Sequence, residues 1–264
     1  ITPSYSGADV SNYSITNHAD ITANITAKSL TVSGITASSK TYDGSVTATM
    51  DGTSAVYSGL VSGDTFTGSY TGVFSNANVG TGKTVTITSS YTGADVNNYS
   101  VTDQSSTTAD ISAKALTATA STANKTYDGG TTATTTLTFT GLVGSETLGQ
   151  TVGSTFDNKN VGSNKTVTIN SITLADGTNG GLAANYSISA GQTTAADITA
   201  KSLTVSGITA SNKTYDGSTN VTLDASSVAY SGLVSGDTFN GTYTGAFSDL
   251  SLIHISEPTR LTSI

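Results

Sequence analysis

The feature that most constrains this chain is a long unit of sequence that recurs. The pentapeptide Lys-Thr-Tyr-Asp-Gly begins at Lys40, Lys125 and Lys213. The step is 85 residues from Lys40 to Lys125 and 88 residues from Lys125 to Lys213. Solenoid and propeller repeats are shorter, roughly 20–50 residues, whereas an immunoglobulin-type sandwich has about 100. The spacing therefore predicts a row of small β domains, each with a core of its own.

Two further motifs keep the same step and mark the ends of each repeat. Asn-Tyr-Ser begins at Asn12, Asn98 and Asn185, and Ala-Lys-x-Leu-Thr has its lysine at Lys28, Lys114 and Lys201. The chain begins inside a repeat, so we interpret it as a fragment of a longer protein. The predicted division is 1–27 for the end of a preceding repeat, 28–113 and 114–200 for two complete repeats, and 201–249 for a truncated one.

The composition is polar, but it is typical of β structure and not of disorder. The chain has 28 Gly and 11% charged residues, yet it also has 12 Tyr and abundant Val, Ile and Thr. Disordered chains are poor in β-branched and aromatic residues and rich in charge. Apolar residues alternate with Thr in runs such as 84–88, and Asp-Gly pairs separate the runs. We predict an all-β chain of tandem immunoglobulin-like β-sandwich repeats of about 87 residues, joined end to end, with six to eight strands and no helix in each.

Charge and residue inventory argue against several classes of function. The formal net charge is −8, the pI is about 4.4, and the single arginine is Arg260. Nucleic-acid binding requires a basic patch, so no nucleic-acid partner is expected. The chain has no Cys, which excludes disulfides and Cys-ligated metals. An apolar run of 18 residues is absent, so no membrane insertion is expected in this fragment.

The last fifteen residues break the repeat. After Phe247-Ser248-Asp249 the third repeat should continue as the first two do, but residues 250–264 match nothing upstream. This stretch resembles the in-frame translation of a transposase-type sequencing-library adapter. We interpret it as an adapter-derived artefact and leave it out of the fold, the alternative being a genuine C-terminal extension.

The Tyr-Asp-Gly motif admits two interpretations. In the first, its aspartates are metal ligands or catalytic acids. In the second, Asp-Gly is a tight turn in which Gly supplies a positive φ, Asp bonds the local backbone and the preceding Tyr buries its ring. We favour the turn, because Asp-Gly between alternating runs is a strong turn signal. The lysine of each copy is interpreted as a solvated charge at a strand edge. The residues of this structural motif are Tyr42, Asp43, Gly44, Tyr127, Asp128, Gly129, Tyr215, Asp216 and Gly217.

Calcium is the one cofactor that the sequence leaves open. Ca²⁺ takes six to eight oxygen ligands, and no Asp-x-Asp-x-Asp-Gly loop is present to supply them. Isolated aspartates could do so only by converging where repeats meet. The candidates are Asp20, Asp110 and Asp197, one for each junction.

The inventory also argues against an enzyme. His18 is the only histidine outside the C-terminal tail, and the chain's two glutamates are Glu146 and Glu257. A Ser-His pair or a glycosidase-type pair of carboxylates needs partners that recur together, and none does. We predict no catalytic residues.

The repeat resembles the bacterial Tyr-Asp-Gly (YDG) domain, a relative of the mostly-β, Gly-rich repeats of large surface adhesins. The features that carry the resemblance occur in order over residues 1–249: Ala-Lys-x-Leu-Thr, Lys-Thr-Tyr-Asp-Gly, Gly-Leu-Val-x-Gly-Asp-Thr, Asn-Val-Gly-x-x-Lys-Thr-Val, and Asn-Tyr-Ser followed by Ala-Asp-Ile. The resemblance implies a filamentous-haemagglutinin-like or autotransporter-type protein that is secreted or lies on the bacterial outer cell surface. It also implies that such repeats form a stalk while adhesion resides elsewhere.

Two hypotheses of function follow. In the first, the repeats are a passive stalk whose direct partners are the neighbouring repeats, and the parent protein reaches host-surface or biofilm-matrix components. In the second, the repeats bind a ligand themselves, either Ca²⁺ at the junctions or glycans. The tyrosines proposed for glycan binding are Tyr57, Tyr70, Tyr230 and Tyr243.

Overall fold

The computed structural model describes residues 1–250, and nearly all of the proposed adapter-derived tail lies outside the described residues. The described chain is all β, as the sequence predicts, and it contains no α-helix. Its only helical elements are three single 3₁₀ turns, at Val10–Asn12, Val96–Asn98 and Ala183–Asn185. Nor does the described part contain any helix with the length and apolar character needed to cross a membrane.

The first complete repeat is built from two main sheets. Its strands are β1 (Lys28–Ser33), β2 (Thr36–Ala37), β3 (Lys40–Thr41), β4 (Thr47–Ala48), β5 (Met50–Asp51), β6 (Val56–Ser58), β7 (Thr67–Phe74), β8 (Gly80–Thr92), β9 (Tyr99–Thr102) and β10 (Ser106–Ser112). One sheet has the order β6-β1-β9, the other has the order β3-β10-β8-β7-β4, and β2 pairs with β5. There are ten strands instead of six to eight, because turn residues divide several runs into pieces of two residues.

The alternation of apolar and polar residues explains how the two sheets pack. Leu30 and Val32 are buried along β1 while their neighbours are exposed, and Val85 and Ile87 are buried along β8. Val32 and Ile87 belong to different sheets and share one core cluster. The two sheets therefore pack face to face, as expected for a sandwich.

The second repeat follows the same plan. Its strands are β11 (Lys114–Ala115), β12 (Thr117–Thr122), β13 (Lys125–Thr126), β14 (Thr132–Ala133), β15 (Thr135–Thr140), β16 (Leu148–Phe156), β17 (Gly162–Asp176), β18 (Tyr186–Ser187) and β19 (Thr193–Thr199). Its five-stranded sheet, β13-β19-β17-β16-β14, repeats the order of the first repeat. Phe156, Val167 and Ile198 form its core together with two alanines.

Each complete repeat contains two parallel strand pairs at its ends. In the first repeat, β1 pairs in parallel with β9 and β10 pairs in parallel with β3. In the second repeat, the same pairs are β11 with β18 and β19 with β13. The strand that opens each repeat and the strand that closes it are thus both held by parallel partners.

The two ends of the described chain are incomplete repeats. The third repeat has four short strands, β20 (Thr204–Ser206), β21 (Thr209–Ala210), β22 (Leu223–Asp224) and β23 (Ala229–Ser231). Residues 1–27 form no strand. Apolar side chains in both segments are exposed where their equivalents in the first repeat are buried, as with Val205 and Val32.

The chain divides into two compact units. The first comprises residues 1–115 and 184–187, and the second comprises residues 116–183 and the described residues from 188 to 250. The short segment 184–187 contains the Asn-Tyr-Ser motif of the second repeat, so this motif belongs to the same unit as the whole first repeat.

Candidate inter-repeat interface

The Tyr-Asp-Gly motif folds as the predicted turn. An Asp43 carboxylate oxygen accepts the Ser45 backbone N–H at 2.8 Å. Gly44 has a φ of 76°, a left-handed conformation that favours glycine. The aspartate therefore closes the turn by bonding the local backbone, and the turn prediction is confirmed.

The lysine that precedes the turn is not the solvated charge that the sequence suggested. The Lys40 side chain is only 18% exposed and lies 2.7 Å from an Asp43 carboxylate oxygen. Its ammonium group also donates to the carbonyl oxygens of Ser45, at 2.7 Å, and Thr47, at 3.2 Å. Its nitrogen lies 5.5 Å from the centre of the Phe74 ring. Three oxygen acceptors and a ring face replace water around the charge, which is why it can be covered.

The same turn is built in all three repeats. Lys125 contacts Asp128 at 2.7 Å and Lys213 contacts Asp216 at 2.8 Å. The hydrogen bond from the lysine is the main cause that lowers the pKa of Asp43, Asp128 and Asp216. For Asp216 the pKa falls to about 2. The aspartate is therefore a charged structural anchor at neutral pH.

The tyrosine of the motif faces a motif of the following repeat. Tyr42 is buried, with 4% of its surface exposed. Its ring meets the ring of Tyr186 edge to face, with 5.4 Å between centroids. Tyr186 belongs to the Asn-Tyr-Ser motif of the second repeat, so the two recurring tyrosines come together. Such edge-to-face pairs contribute about 0.5–1.5 kcal/mol beyond the area that they bury.

A buried asparagine joins the same two repeats. The Asn185 side chain is 1% exposed, and it makes two hydrogen bonds to the Asn-Val-Gly loop of the first repeat. Its carboxamide oxygen accepts the Val79 N–H at 2.9 Å, and its nitrogen donates to the Asn78 side chain at 3.1 Å. A buried amide that is satisfied on both sides fixes the register of the contact.

The second and third repeats meet through the corresponding motif. The Tyr127 hydroxyl donates to the Asp237 carboxylate at 2.7 Å. Lys159 lies 3.5 Å from the same carboxylate. The Tyr127 hydroxyl and then Asp237 raise the pKa of Lys159. A Cβ on Gly129 would lie 2.9 Å from a Val234 methyl group, so this glycine also permits a close approach.

The recurring motifs therefore share one role, which is to form the contacts between successive repeats. Tyr-Asp-Gly and the Asn-Val-Gly loop of one repeat face the Asn-Tyr-Ser and Gly-Leu-Val-Ser-Gly-Asp-Thr motifs of the next. Sequence reasoning placed Asp-Gly in a turn and used the other motifs as markers of the repeat, but it did not bring them together. A signal was present in the recurrence of an asparagine next to a core tyrosine, because a polar side chain repeated at that position requires a buried partner.

The three calcium candidates do not converge in the described part of the chain. Asp110 accepts the Gly82 N–H at 2.7 Å, and Asp197 accepts the Asn164 N–H at 2.8 Å. Asp20 lies 3.2 Å from the amino group of Ile1. Over residues 1–250, no three His, Asp or Glu side chains are grouped so that they could hold a metal ion. Calcium binding by these aspartates stays an untested prediction.

The tyrosines proposed for glycan binding are half-buried pairs and not an exposed patch. The hydroxyls of Tyr57 and Tyr70 lie 2.9 Å apart, and those of Tyr230 and Tyr243 lie 2.6 Å apart. Burial, followed by the hydrogen bond to Tyr57, raises the pKa of Tyr70. Each pair is joined through its hydroxyl groups, and glycan binding by these tyrosines stays an untested prediction.

Comparison with known proteins identifies a family but no individual relative. No curated protein and no solved structure matches the chain. The YDG domain is found three times in tandem, at residues 26–109, 112–195 and 199–252. These matches cover most of the sequence and follow the repeats described above. The chain belongs to the YDG domain family.

Proposed function

We propose that this chain is a non-catalytic structural spacer from a large bacterial adhesin of filamentous-haemagglutinin-like or autotransporter type. The parent protein would be secreted or exposed on the outer cell surface. The repeats would hold a separate adhesive region away from the cell, and their direct partners would be neighbouring repeats. Contact with host-surface or biofilm-matrix components would be made through the parent protein.

The observation that carries this proposal is the parallel pairing of the terminal strands. Tension along the chain pulls β1 at its Lys28 end, while β9 is pulled from its opposite end through β10. The β10–β3 pair is loaded in the same way, with β10 pulled at its Ser112 end. The hydrogen bonds of each pair are then strained together in shear, instead of one at a time. This geometry suits a domain that must stay folded under load.

The junctions support the same role. Only Ala113 separates β10 from β11, so successive repeats follow each other without a linker. The pairs Tyr42–Tyr186 and Tyr127–Asp237 join motifs that recur in each repeat. An array built from one repeated contact can be lengthened by adding units, because each unit needs only its neighbours.

Composition is consistent with an exposed filament. The net charge of −8 favours solubility and keeps parallel filaments apart. The chain has no cysteine, so its stability depends on the cores and junctions and not on an oxidising compartment.

Single-molecule pulling tests the proposal, and the absence of native cysteine allows defined points of attachment. A Thr26→Cys, Ser112→Cys pair loads the first repeat through its terminal strands. A Thr67→Cys, Thr92→Cys pair grips the open end of the β7–β8 hairpin and unzips it, since these residues are direct partners. We expect the first pair to withstand several times the force of the second. Equal unfolding forces would remove the mechanical argument for a spacer.

A further inference from the structure

A lysine, an asparagine and an aspartate meet at the loop between β16 and β17 of the second repeat. The Lys165 side chain is only 9% exposed, and its nitrogen lies 2.8 Å from the Asn158 carboxamide oxygen. The same nitrogen lies 2.9 Å from one Asp157 carboxylate oxygen. The other Asp157 oxygen accepts the Asn158 side-chain N–H at 3.1 Å. An amine, a carboxamide and a carboxylate therefore form a closed ring of contacts.

The backbone of the loop holds the carboxamide in one orientation. The Asn160 backbone N–H donates to the Asn158 carboxamide oxygen at 3.0 Å, so this oxygen accepts from the backbone and from Lys165. Because both of its neighbours are donors, the oxygen faces them and the carboxamide nitrogen faces Asp157. The Asn158 backbone N–H in turn donates to Asp157 at 2.9 Å. Both side chains that Lys165 contacts are thus fixed by the loop itself.

The strand that follows the loop positions the lysine. The pairing of β17 with β19 shifts in register between Gly162 and Lys165, and Asn164 has a φ of 49°. A bulge of this kind changes the direction of the side chains that follow it. A Cβ on Gly162 would lie 3.4 Å from the Cγ and Cδ atoms of Lys165. The lysine stem therefore lies over this glycine and directs the amine toward the loop.

The first repeat has the same contact without the carboxylate. The Lys83 nitrogen lies 2.7 Å from the Asn76 carboxamide oxygen, which also accepts the Asn78 backbone N–H at 3.0 Å. The position of Asp157 is occupied there by Ser75. The lysine–asparagine contact therefore forms without an acid in the first repeat. The aspartate of the second repeat adds a group that can move protons between the two nitrogens.

We propose that Lys165 and Asn158 join in a spontaneous isopeptide bond, with Asp157 as the acid–base group. The Lys165 amine attacks the Asn158 side-chain carbonyl carbon, and a new C–N bond forms as the bond to the carboxamide nitrogen breaks. The lysine ammonium group gives up two protons, and both end on the released nitrogen as an ammonium ion. The products are a secondary amide and ammonium, so the reaction needs no oxidant, reductant or further reactant.

Each neighbouring group has a defined part in this reaction. The hydrogen bond from Lys165 lowers the pKa of Asp157, so its carboxylate is ionised at neutral pH and can accept a proton from the lysine. The same carboxylate contacts the Asn158 nitrogen and can protonate it as it leaves. The Asn160 N–H stabilises the negative charge that develops on the carbonyl oxygen. Contact between amine and carboxamide in the folded chain replaces a slow bimolecular encounter.

The reaction runs toward the amide because its second product is lost. The Asp157 side chain is 46% exposed, so ammonia formed beside it can leave to solvent. The new bond closes a covalent ring over residues 158–165, which contain the Asn-Val-Gly loop of the second repeat. Lys159 in this loop contacts Asp237 of the third repeat. The bond would therefore fix a loop that contacts the next repeat.

Mass spectrometry of the denatured full chain, freshly purified and after prolonged incubation, tests this inference. We expect the mass to fall below the sequence mass by one ammonia molecule per chain. Trypsin should then yield a branched peptide in which Lys165 is uncut and joined to Asn158. Asp157→Ser, which reproduces the first repeat, and Lys165→Met should both keep the full mass. Lys159→Met is the matched control and should still lose ammonia, because Lys159 contacts Asp237 instead.

A second variant adds the chemistry where it is missing. Ser75→Asp gives the first repeat the carboxylate that the second repeat has, beside the existing contact of Lys83 with Asn76. We expect this variant to lose a second ammonia molecule per chain. A variant that still loses only one would overturn the role assigned to the aspartate. Circular dichroism of each variant checks that the β fold is kept.

Three results would overturn the inference as a whole. The first is the full sequence mass even after prolonged incubation. The second is a loss of ammonia that survives Lys165→Met, which would mean that an asparagine has cyclised onto its own backbone. The third is a loss that survives Asp157→Ser. None of these results bears on the proposed spacer role, because that role depends on the terminal strands and is tested by pulling.

Discussion

At the scale of single residues, the three copies of one motif provide an internal comparison. Tyr42 is buried against Tyr186, whereas Tyr215 is 61% exposed. The two residues have the same local sequence, but the described part of the third repeat ends before the equivalents of β8 to β10. The burial of Tyr42 therefore combines the packing of its own complete repeat with the contact to Tyr186 of the next one.

Tyr42→Ala should lower the free energy of unfolding by about 3–5 kcal/mol, as for other large aromatic residues removed from a core. Tyr215→Ala should lie within about 0.5 kcal/mol of the parent chain. Urea unfolding followed by circular dichroism measures both. Equal losses for the two variants would show that the tyrosine acts through its own turn and not through the junction.

The negative charge of Asp128 predicts that the stability of the chain depends on pH. The Lys125 hydrogen bond lowers the folded pKa of Asp128 below its ordinary value of 3.8. A lowered folded pKa means that the stabilisation is fully present above pH 3.8 and is lost as the pH falls through the folded value. Asp128→Asn should therefore be less stable than the parent chain at pH 7, and the difference should shrink in acid below pH 3.8.

Asparagine keeps an acceptor for the Gly130 N–H and removes only the charge, so this substitution isolates the ion pair. Thermal unfolding of both proteins across pH 2–7, an interval set by the pKa values of carboxylates, is the measurement. Lys125→Met should show the same loss of pH dependence. A difference in unfolding midpoint between Asp128→Asn and the parent chain that stays constant from pH 2 to pH 7 would contradict the prediction.

At the scale of elements, the Ala-Asp-Ile strand that closes each repeat is a buried central strand. Ile198 on β19 is 1% exposed and packs with Phe156 and Val167. Ile198→Ala should destabilise the second repeat by about 2–5 kcal/mol. Ile25→Ala is the matched control, because Ile25 lies in the strandless segment 1–27 and is fully exposed. A loss for Ile25→Ala comparable to that for Ile198→Ala, in thermal unfolding, would contradict this view.

The local sequence pattern predicted the strands and turns better than it predicted which distant residues contact each other. Alternation along residues 84–88 identified a buried strand face, and Asp43-Gly44 identified a turn, because both signals lie within a few residues of sequence. The surroundings of Lys40 could be predicted only in part in this way. Its oxygen partners on Asp43, Ser45 and Thr47 lie within seven residues, whereas Phe74 lies 34 residues away and comes close through the pairing of strands in the sheet.

The contact between the first and second repeats could not be predicted from the local sequence pattern either, because it joins residues that are far apart in the chain. Asn78 and Asn185 are more than a hundred residues apart, and each looks like an ordinary loop residue in its own context. Only the order of the strands brings the two side chains into hydrogen-bonding distance. Long-range pairing of this kind has no signal in a short window of sequence.

At the scale of the whole molecule, the question is whether the array is a passive spacer or binds calcium. In the described residues, Asp110 and Asp197 each already accept a backbone N–H. A calcium site would have to gather six to eight oxygens from carboxylates that have these other roles. We therefore expect millimolar Ca²⁺ to leave the thermal midpoint of the chain unchanged relative to EGTA.

Thermal unfolding discriminates well between the two possibilities, because a genuine calcium site would raise the unfolding midpoint by several degrees. A ligand present at a hundred times its Kd adds about 2.7 kcal/mol of stability. For a domain of 60–100 residues, each kcal/mol raises the midpoint by about 4–8 °C. A rise of several degrees that EGTA reverses, that Mg²⁺ does not reproduce, and that Asp110→Asn or Asp197→Asn removes would make the array calcium-stiffened. In that case calcium would stabilise the repeats that carry the load, and the resistance of the spacer would depend on the calcium concentration.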